Sequence, residues 1–335
     1  MSSEPLPITL LTGFLGSGKT TLLQRAVRAP AFADTAVLVN EIGEIGLDHH
    51  LVETVDGPIL ELPGGCLCCA VREDLAQTLR DLIERRAAGT VRPFRRLVVE
   101  TTGLADPAPI LYTLGADPML DHELRLARVV TTVDAVTGAA SLERFPEAAR
   151  QVAVADLLLV TKTDLAAPDA RLTERLDALN RAAPRRPTLG ADDPGALLFE
   201  AAALPRGDVA LPADHHAAHS HGIAVHAVAL ERPVGRLDFA RALGELAREH
   251  GEDLLRVKGL VAFADRPERP AVIQGAQHAI YDPVWLERWP DGERRSWLIF
   301  IVHAIPLAAI LDRFGFAGAA PTTAPARSIA PLSTA

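Results

Sequence analysis

Continuous apolar runs separated by helical patterns make up the first two-thirds of the chain. Several runs are unbroken stretches of valine, leucine and isoleucine, as expected for strands that are buried on both faces. The predicted strands are Ile8–Thr12, Ala36–Asn40, Arg96–Glu100, Arg128–Val133 and Asp156–Thr161, and the predicted helices are Thr20–Arg28, Arg72–Arg86 and Pro168–Arg181. Alternation of this kind predicts an α/β domain with a mostly parallel sheet covered by helices.

A different pattern follows residue 205. Residues 206–222 combine Pro, Gly, Ala and Asp with several histidines, and we interpret them as a linker that either collects metal ions weakly or is an idle polar tract. A β-α-β-β-β-α order then predicts a smaller α+β domain over residues 223–316. The predicted elements are strands Ile223–Leu230, Leu254–Ala264, Ala271–Ala279 and Ser296–Ile305, with helices Arg236–His250 and Leu307–Phe314. The first domain is therefore assigned to residues 1–205, and residues 317–335 are expected to be a disordered tail.

Residues 13–20 match the phosphate-binding pattern G-x-x-x-x-G-K-[ST], between a predicted strand and a predicted helix. Glycines allow backbone N–H groups to curl around phosphate oxygens, and the helix N-terminus adds partial positive charge. We expect Lys19 to reach the β- and γ-phosphates and the Thr20 hydroxyl to bind Mg²⁺. The predicted nucleotide-binding residues of this loop are Gly13, Gly16, Ser17, Gly18, Lys19, Thr20 and Thr21.

Polar residues end two further apolar runs. Glu100 lies where enzymes with this loop place an acid for Mg²⁺ or its waters, and the N–H of Gly103 is a candidate donor to a γ-phosphate. Residues 104–107 continue into a predicted switch segment. Asp134 also ends a run, and its structural and functional interpretations both stay open.

The segment Thr161-Lys162-Thr163-Asp164 predicts guanine recognition. Guanine presents N1–H and N2–H₂ together, and one carboxylate accepts both, whereas adenine offers no such donor pair. Asp164 is the candidate for this contact, and Lys162 either lies across the base or supports the loop. Thr161 stands where the commoner motif has Asn.

The three cysteines of the chain, Cys66, Cys68 and Cys69, lie within four residues after a pair of glycines. An odd, clustered set does not suit a disulfide framework and favours metal ligation in a reducing compartment. Zn²⁺ takes thiolate ligands in tetrahedral geometry, so three thiolates leave a position for a side chain, a water or a ligand of an acceptor protein. Small buried cysteines or a redox pair are the alternatives.

An acidic, glycine-punctuated segment, residues 40–50, follows the second predicted strand. We expect it to act as a first switch, and its Glu41, Glu44, Asp48 and His49 are candidates to contact Mg²⁺ or a cysteine-bound metal. Solvated loop residues are the competing interpretation of each side chain.

The net charge of −9 argues against nucleic acid or an anionic membrane as the main partner. The chain begins without a signal-peptide pattern and holds no run of about 18 apolar residues, so a cytoplasmic location is expected. A homo-oligomer is compatible with the sequence.

Taken together, these motifs resemble the CobW-type family of P-loop GTPases, over residues 6–315. The resemblance rests on residues 13–21, 40–48, 65–69, 100–107 and 161–164. It implies a GTPase with GTP, Mg²⁺ and Zn²⁺ (or Co²⁺) that transfers a metal from the Cys-x-Cys-Cys cysteines to a client protein. Some members of the family are linked to cobalt for cobalamin synthesis or to nitrile hydratase maturation.

We therefore expect Mg-GTP to order the acidic switch and the cysteine segment, and hydrolysis to release the ion. Catalysis would be mainly electrostatic, with Lys19, Thr20 and Glu100 as the catalytic set. Three rival hypotheses remain: a cobalt chaperone for cobalamin synthesis, a nucleotide-gated metal sensor or storage protein, and a small-molecule kinase.

Overall fold

The computed structural model describes residues 4–39, 59–61, 70–190, 193–199, 221–290 and 294–321. The chain divides into two compact units, one of residues 1–176 with 183–202 and the other of residues 177–182 with 203–335. Each has its own sheet. Among the described residues, the helices are all too short or too polar to cross a lipid bilayer.

The sheet of the first unit is parallel throughout its seven described strands, in the order β3-β2-β4-β1-β5-β6-β7. The strands are β1 (Leu6–Gly13), β2 (Thr35–Val39), β3 (Ile59–Glu61), β4 (Arg96–Glu100), β5 (Leu124–Asp134), β6 (Leu157–Thr161) and β7 (Arg185–Pro187). The prediction of a mostly parallel sheet is confirmed. The central strand, β1, is flanked by β4 and β5, so its C-terminal loop lies in the middle of the sheet edge.

Helices connect these strands. They are α1 (Lys19–Ala26), α2 (Ala70–Ala87), α3 (Pro107–Ala116), α4 (Pro118–Glu123), α5 (Gly138–Arg144), α6 (Pro146–Ala153), α7 (Ala170–Asn180) and α8 (Ala196–Phe199). Asp106 and Asp117 cap α3 and α4 by accepting backbone N–H bonds, and each is followed by a proline that suits the first helical turn.

The unbroken apolar runs are buried because layers cover both faces of the sheet. Leu10 and Leu11, neighbours on β1 that point to opposite faces, are both fully buried, as is Val98 on β4. Each such side chain stabilises the fold by roughly 1.5–3 kcal/mol relative to the same side chain exposed to water. The loops at the C-terminal ends of the strands are therefore attached to a stable sheet.

The second unit has an antiparallel sheet in the order β11-β10-β9-β13-β8-β14, with β12 paired to β10. Its strands are β8 (Ile223–Leu230), β9 (Leu254–Val261), β10 (Ala271–Ala276), β11 (Ala279–Ile280), β12 (Val284–Trp285), β13 (Ser296–His303) and β14 (Ala319–Pro321). Helices α9 (Arg236–His250) and α10 (Leu307–Phe314) share a core with this sheet, in which Phe239, Phe300 and Phe314 are buried.

Two expectations for this unit are corrected. The predicted strand Ala271–Ala279 is broken by a turn at Gln277, whose φ is +52°, and becomes the hairpin of β10 and β11. The predicted tail begins with ordered residues, because β14 pairs with β8. Pro321, which lacks an N–H, is tolerated there because β14 is an edge strand. Most of the predicted linker, residues 206–220, lies outside the described residues.

Candidate nucleotide site

The predicted nucleotide-binding segments converge at one edge of the first sheet. Strands β1, β4, β5 and β6 are neighbours and run in the same direction, so their C-terminal ends lie side by side. The phosphate-loop pattern follows β1, Glu100 ends β4, Asp134 ends β5 and the segment 161–164 begins at the end of β6. Ligands of open α/β sheets bind at this edge.

The loop of residues 13–18 has the backbone geometry that its glycines permit. Gly13, Gly16 and Gly18 have φ values of +145°, +68° and +93°. A Cβ on Gly13 would lie 2.2 Å from Thr132 Oγ1, so only glycine fits against β5 there. The Lys19 ammonium donates to the carbonyl oxygens of Gly13 (2.7 Å) and Phe14 (3.3 Å), which holds its charge over the loop.

Helix α1 begins at Lys19, directly after the loop, with Gly18 as its N-cap. Glycine has no side chain that could accept a capping hydrogen bond, so Gly18 does not cap the first N–H groups of α1. Ser17 is buried and shares a 2.6 Å hydrogen bond with Thr132, whereas Thr21 is exposed in the first helical turn.

Thr20 and Glu100 meet at the junction of α1 and β4. The Thr20 hydroxyl donates to Glu100 Oε1 at 3.0 Å, and Glu100 is 4% exposed. Two oxygen ligands of this type, one a buried carboxylate, form a donor set that suits a hard divalent cation.

Thr161 links residues 161–164, the predicted base-recognition segment, to residues 13–20, the predicted phosphate loop. Its hydroxyl donates to the carbonyl of Ser17 at 2.7 Å, and the side chain is 5% exposed. Its methyl carbon lies 3.3 Å from the position that a Cβ on Gly18 would occupy. Thr161 therefore links the two segments directly, a role that the sequence pattern alone did not indicate.

Lys162 pairs with the carboxylate that ends β5. Its ammonium donates to Asp134 Oδ2 at 2.7 Å, and its own φ is +57°. Burial alone raises the pKa of Asp134, but hydrogen bonds from Lys162, from the Val136 N–H and from Thr137 together hold that pKa below its ordinary value of 3.8. Asp134 is thus a charged support for Lys162, which favours its structural interpretation. Asp164 is exposed, in the turn that follows.

The loop that follows Glu100 lies against the phosphate loop. Its Thr101 hydroxyl donates to the Thr12 hydroxyl at 2.8 Å, and a Cβ on Gly103 would lie 2.7 Å from the backbone of Leu15. Two residues of α6, Arg150 and Gln151, bond to the same loop. Neither Arg150 nor Gln151 was predicted from the sequence. The pair Asp106-Pro107 does carry the N-cap and N1 signal that marks the end of the loop.

The candidate metal ligands Cys66, Cys68, Cys69, Glu41, Asp48 and His49 lie outside the described residues. Within the described ranges, no group of three His, Cys, Asp or Glu side chains is arranged to hold a metal ion.

The described residues on either side of the cysteines are the end of β3 at Glu61 and the start of α2 at Ala70. The C-terminal end of β3 lies at the same sheet edge as that of β1, three strand spacings away, or about 14 Å.

Two family models match the chain. The model described as CobW/HypB/UreG, nucleotide-binding domain, matches residues 7–189, and the cobalamin synthesis protein CobW C-terminal domain matches residues 223–316.

Similar proteins include the zinc chaperone YjiA of Escherichia coli, which is 35% identical over 319 residues covering 94% of this chain and 99% of the relative. The zinc chaperone CobW of Pseudomonas aeruginosa is 30% identical over 363 residues, covering 92% of this chain and 90% of that one. The crystal structure of Zn(II)-bound YjiA GTPase from E. coli matches with a TM-score of 0.68 at 30% identity, over 94% of this chain and 99% of that one.

Proposed function

Because this chain belongs to the family whose members carry a CobW/HypB/UreG nucleotide-binding domain and a CobW C-terminal domain, we propose that it is a GTP-hydrolysing metallochaperone. In this proposal it binds Zn²⁺ at Cys66, Cys68 and Cys69 and transfers the ion to a client protein. Two relatives that cover most of the chain are named zinc chaperones, which supports zinc as the cargo.

The Thr20–Glu100 contact carries the hydrolytic part of the proposal. A hydroxyl and a buried carboxylate 3.0 Å apart, beside a lysine held over a glycine loop, fit Mg²⁺ together with a triphosphate. When bound, Mg²⁺ supplies charge neutralisation for the β- and γ-phosphate oxygens. Thr20 and Glu100 would hold it, while Lys19 and the first N–H groups of α1 orient the phosphates.

Selection of guanine would depend on Asp164 and on the parts that place it. The exposed Asp164 carboxylate is free to accept both N–H donors of guanine. Lys162 is fixed by Asp134, and Thr161 ties the segment to Ser17. The segments proposed to bind the base and the phosphates are therefore hydrogen-bonded to each other.

The cargo site is proposed from chemistry and topology. Three thiolates form part of a tetrahedral Zn²⁺ site and leave a position that an acceptor ligand can take. In the sequence, the cysteines follow Glu61, which ends β3, and precede Ala70, which begins α2. Glu41, Asp48 and His49 follow Val39, which ends β2, and they are candidates to complete the site.

If nucleotide and metal sites influence each other, the coupling is reciprocal. Mg-GTP then tightens Zn²⁺ binding, and Zn²⁺ tightens Mg-GTP binding by the same factor. Hydrolysis weakens the metal site and releases the ion.

Competitive titration of Zn²⁺ and Co²⁺ against a chromogenic chelator, in Mg-GDP and in a non-hydrolysable Mg-GTP analogue, tests this proposal. We expect Zn²⁺ affinity to be at least about 5-fold higher with the analogue, a coupling of about 1 kcal/mol. The variant Cys66→Ala/Cys68→Ala should lose this difference and retain GTP binding.

The rival functions predict other outcomes. Equal Zn²⁺ affinity in the two nucleotide states would contradict gated delivery, and tighter nucleotide-dependent binding of Co²⁺ would favour the cobalt chaperone. A preference for ATP with no effect of the cysteine variant would favour a kinase. Failure of the loaded protein to metallate any client would leave a sensor or storage protein.

A further inference from the structure

Helix α6 bonds to the loop that follows Glu100 at two points. The Gln151 amide donates to the carbonyl oxygens of Gly103 at 3.2 Å and Ala105 at 2.9 Å. The Arg150 guanidinium donates to Asp106 Oδ2 at 2.7 Å, while Asp106 Oδ1 accepts the Ala108 N–H and so caps α3. Both ends of the loop turn are therefore held by consecutive residues of α6.

The hydrogen-bonding groups of the Gln151 side chain are shielded from water. The side chain is 0% exposed, both of its N–H donors are directed to the loop, and its Oε1 makes no hydrogen bond within the described part of the chain. Removing the two bonds to the loop would leave buried N–H donors without acceptors, which costs free energy, so burial favours keeping these bonds.

The same helix also contacts the phosphate loop. Phe145, the N-cap residue of α6, stacks on Phe14 with ring centroids 4.6 Å apart. Gln151 lines a small cavity together with Phe14, Leu15 and Ser17 of the phosphate loop. Helix α6 thus spans from the phosphate loop to the loop that follows Glu100.

We propose that Arg150 and Gln151 are positioning residues for GTP hydrolysis. They hold residues 103–106 in a fixed position relative to the phosphate loop. This assignment rests on the proposed GTPase function. Gly103 lies against Leu15 with no room for a Cβ, and it is three residues from Glu100, the candidate Mg²⁺ ligand. A displacement of this loop would therefore misplace groups around the γ-phosphate and leave the contacts to base and β-phosphate in place.

The test compares Gln151→Met, Arg150→Met and Arg150→Lys with the wild-type full-length protein. Methionine has a long unbranched side chain without hydrogen-bond donors, whereas lysine keeps the charge at position 150. Arg171→Met is the matched control, because Arg171 pairs with Glu143 and not with the loop.

We expect Gln151→Met and Arg150→Met to lower the kcat of GTP hydrolysis by about 10-fold to 100-fold, because small misplacements in a catalytic site have effects of this size. The affinity for GDP should change by less than about 3-fold, since base and β-phosphate contacts persist, so a non-hydrolysable GTP analogue should lose affinity relative to GDP. Arg150→Lys should recover most of the rate, and Arg171→Met should match the wild type.

An unchanged kcat in Arg150→Met, which is partly exposed and should fold, would overturn the assignment. Parallel losses of kcat, GDP affinity and thermal stability in both variants would also overturn it, because they would indicate a merely structural role. If the wild type binds nucleotides without hydrolysing GTP, the proposed function fails. The ratio of the affinities for the GTP analogue and for GDP then still tests whether Arg150 and Gln151 hold residues 103–106 in place.

Discussion

The substitution Thr161→Val removes one hydroxyl group from the candidate nucleotide site. Valine has nearly the same shape as threonine and keeps the methyl group near Gly18, but it cannot donate to the Ser17 carbonyl. In a trans peptide unit the C=O and the N–H point in opposite directions. The Thr161 bond to the Ser17 carbonyl therefore aims the N–H of Gly18 away from β6, into the loop that we propose binds phosphate.

The magnitude follows from burial. Thr161 is 5% exposed and Ser17 is 3% exposed, so the carbonyl that loses its donor is shielded from water. Leaving a buried acceptor without its donor costs about 1–3 kcal/mol. This cost divides between the free energy of unfolding and the free energy of nucleotide binding. If it is expressed wholly in binding, the affinity falls between about 5-fold and 150-fold.

The assay is calorimetric titration of Mg-GDP, with chemical unfolding of the apoprotein measured in parallel. Thr161→Ser is the control, because it keeps the hydroxyl and removes only the methyl. For Thr161→Val, we expect the free energies of unfolding and of Mg-GDP binding to fall by about 1–3 kcal/mol in total. Thr161→Ser should retain most of the affinity for Mg-GDP. Equal losses of affinity in the two variants would refute the idea that the hydroxyl orients the loop.

Four further predictions follow from other contacts. Gly103→Ala should lower GTP hydrolysis at least about 10-fold in a steady-state assay, because the new Cβ would lie 2.7 Å from the Leu15 backbone; normal turnover would contradict this packing. Asp164→Asn should lower affinity for GTP and raise it for XTP in competition binding, because an amide can donate to the 2-oxo group of xanthine; unchanged preference would remove Asp164 from base recognition. The stability difference between wild type and Asp134→Asn should be complete above the unfolded pKa of 3.8 and should disappear as pH falls through the lower folded pKa, which urea unfolding at several pH values can measure. Burial lowers the pKa of His226 despite its bond to the Ile305 carbonyl, so stability should be complete above the unfolded value of 6.5 and fall as pH drops below it, and His226→Gln should flatten this part of the profile.

The strands and the phosphate loop were predictable because their signals are local. Val98 and Val99, like Leu158 and Leu159, belong to apolar runs whose length and composition fit doubly buried strands. The loop pattern combines glycines with a lysine at fixed spacing, and no distant residue is needed to recognise it. The resemblance to the CobW-type family, which rests on these motifs taken together, is confirmed by both family models.

Contacts across the sheet were not predictable in the same way. The pair formed by Lys162 and Asp134 joins the residue that follows β6 to the last residue of β5, and only the strand order places them together. Thr161 looked like a departure from a guanine motif, and its bond to Ser17 became visible only when β6 was placed two strands from β1. Gln151 has no local signal at all, because a polar residue on a short helix is usually exposed.

Helix α2, which begins directly after the cysteine segment, is joined through described contacts to the loop near Glu100. Arg80 on α2 pairs with Asp117, which caps α4, and α3 lies between Asp117 and the loop. Helix α3 is 10 residues long, about 15 Å, and it connects Asp117 at its C-terminal end to Asp106 at its N-terminal end, where Arg150 also binds. Contiguous packing alone is not coupling, which requires an element with two discrete arrangements that both sites bias. The loop of residues 103–106 is the segment to test for two such arrangements, since it contacts α6 and the phosphate loop on one side and continues into α3 on the other.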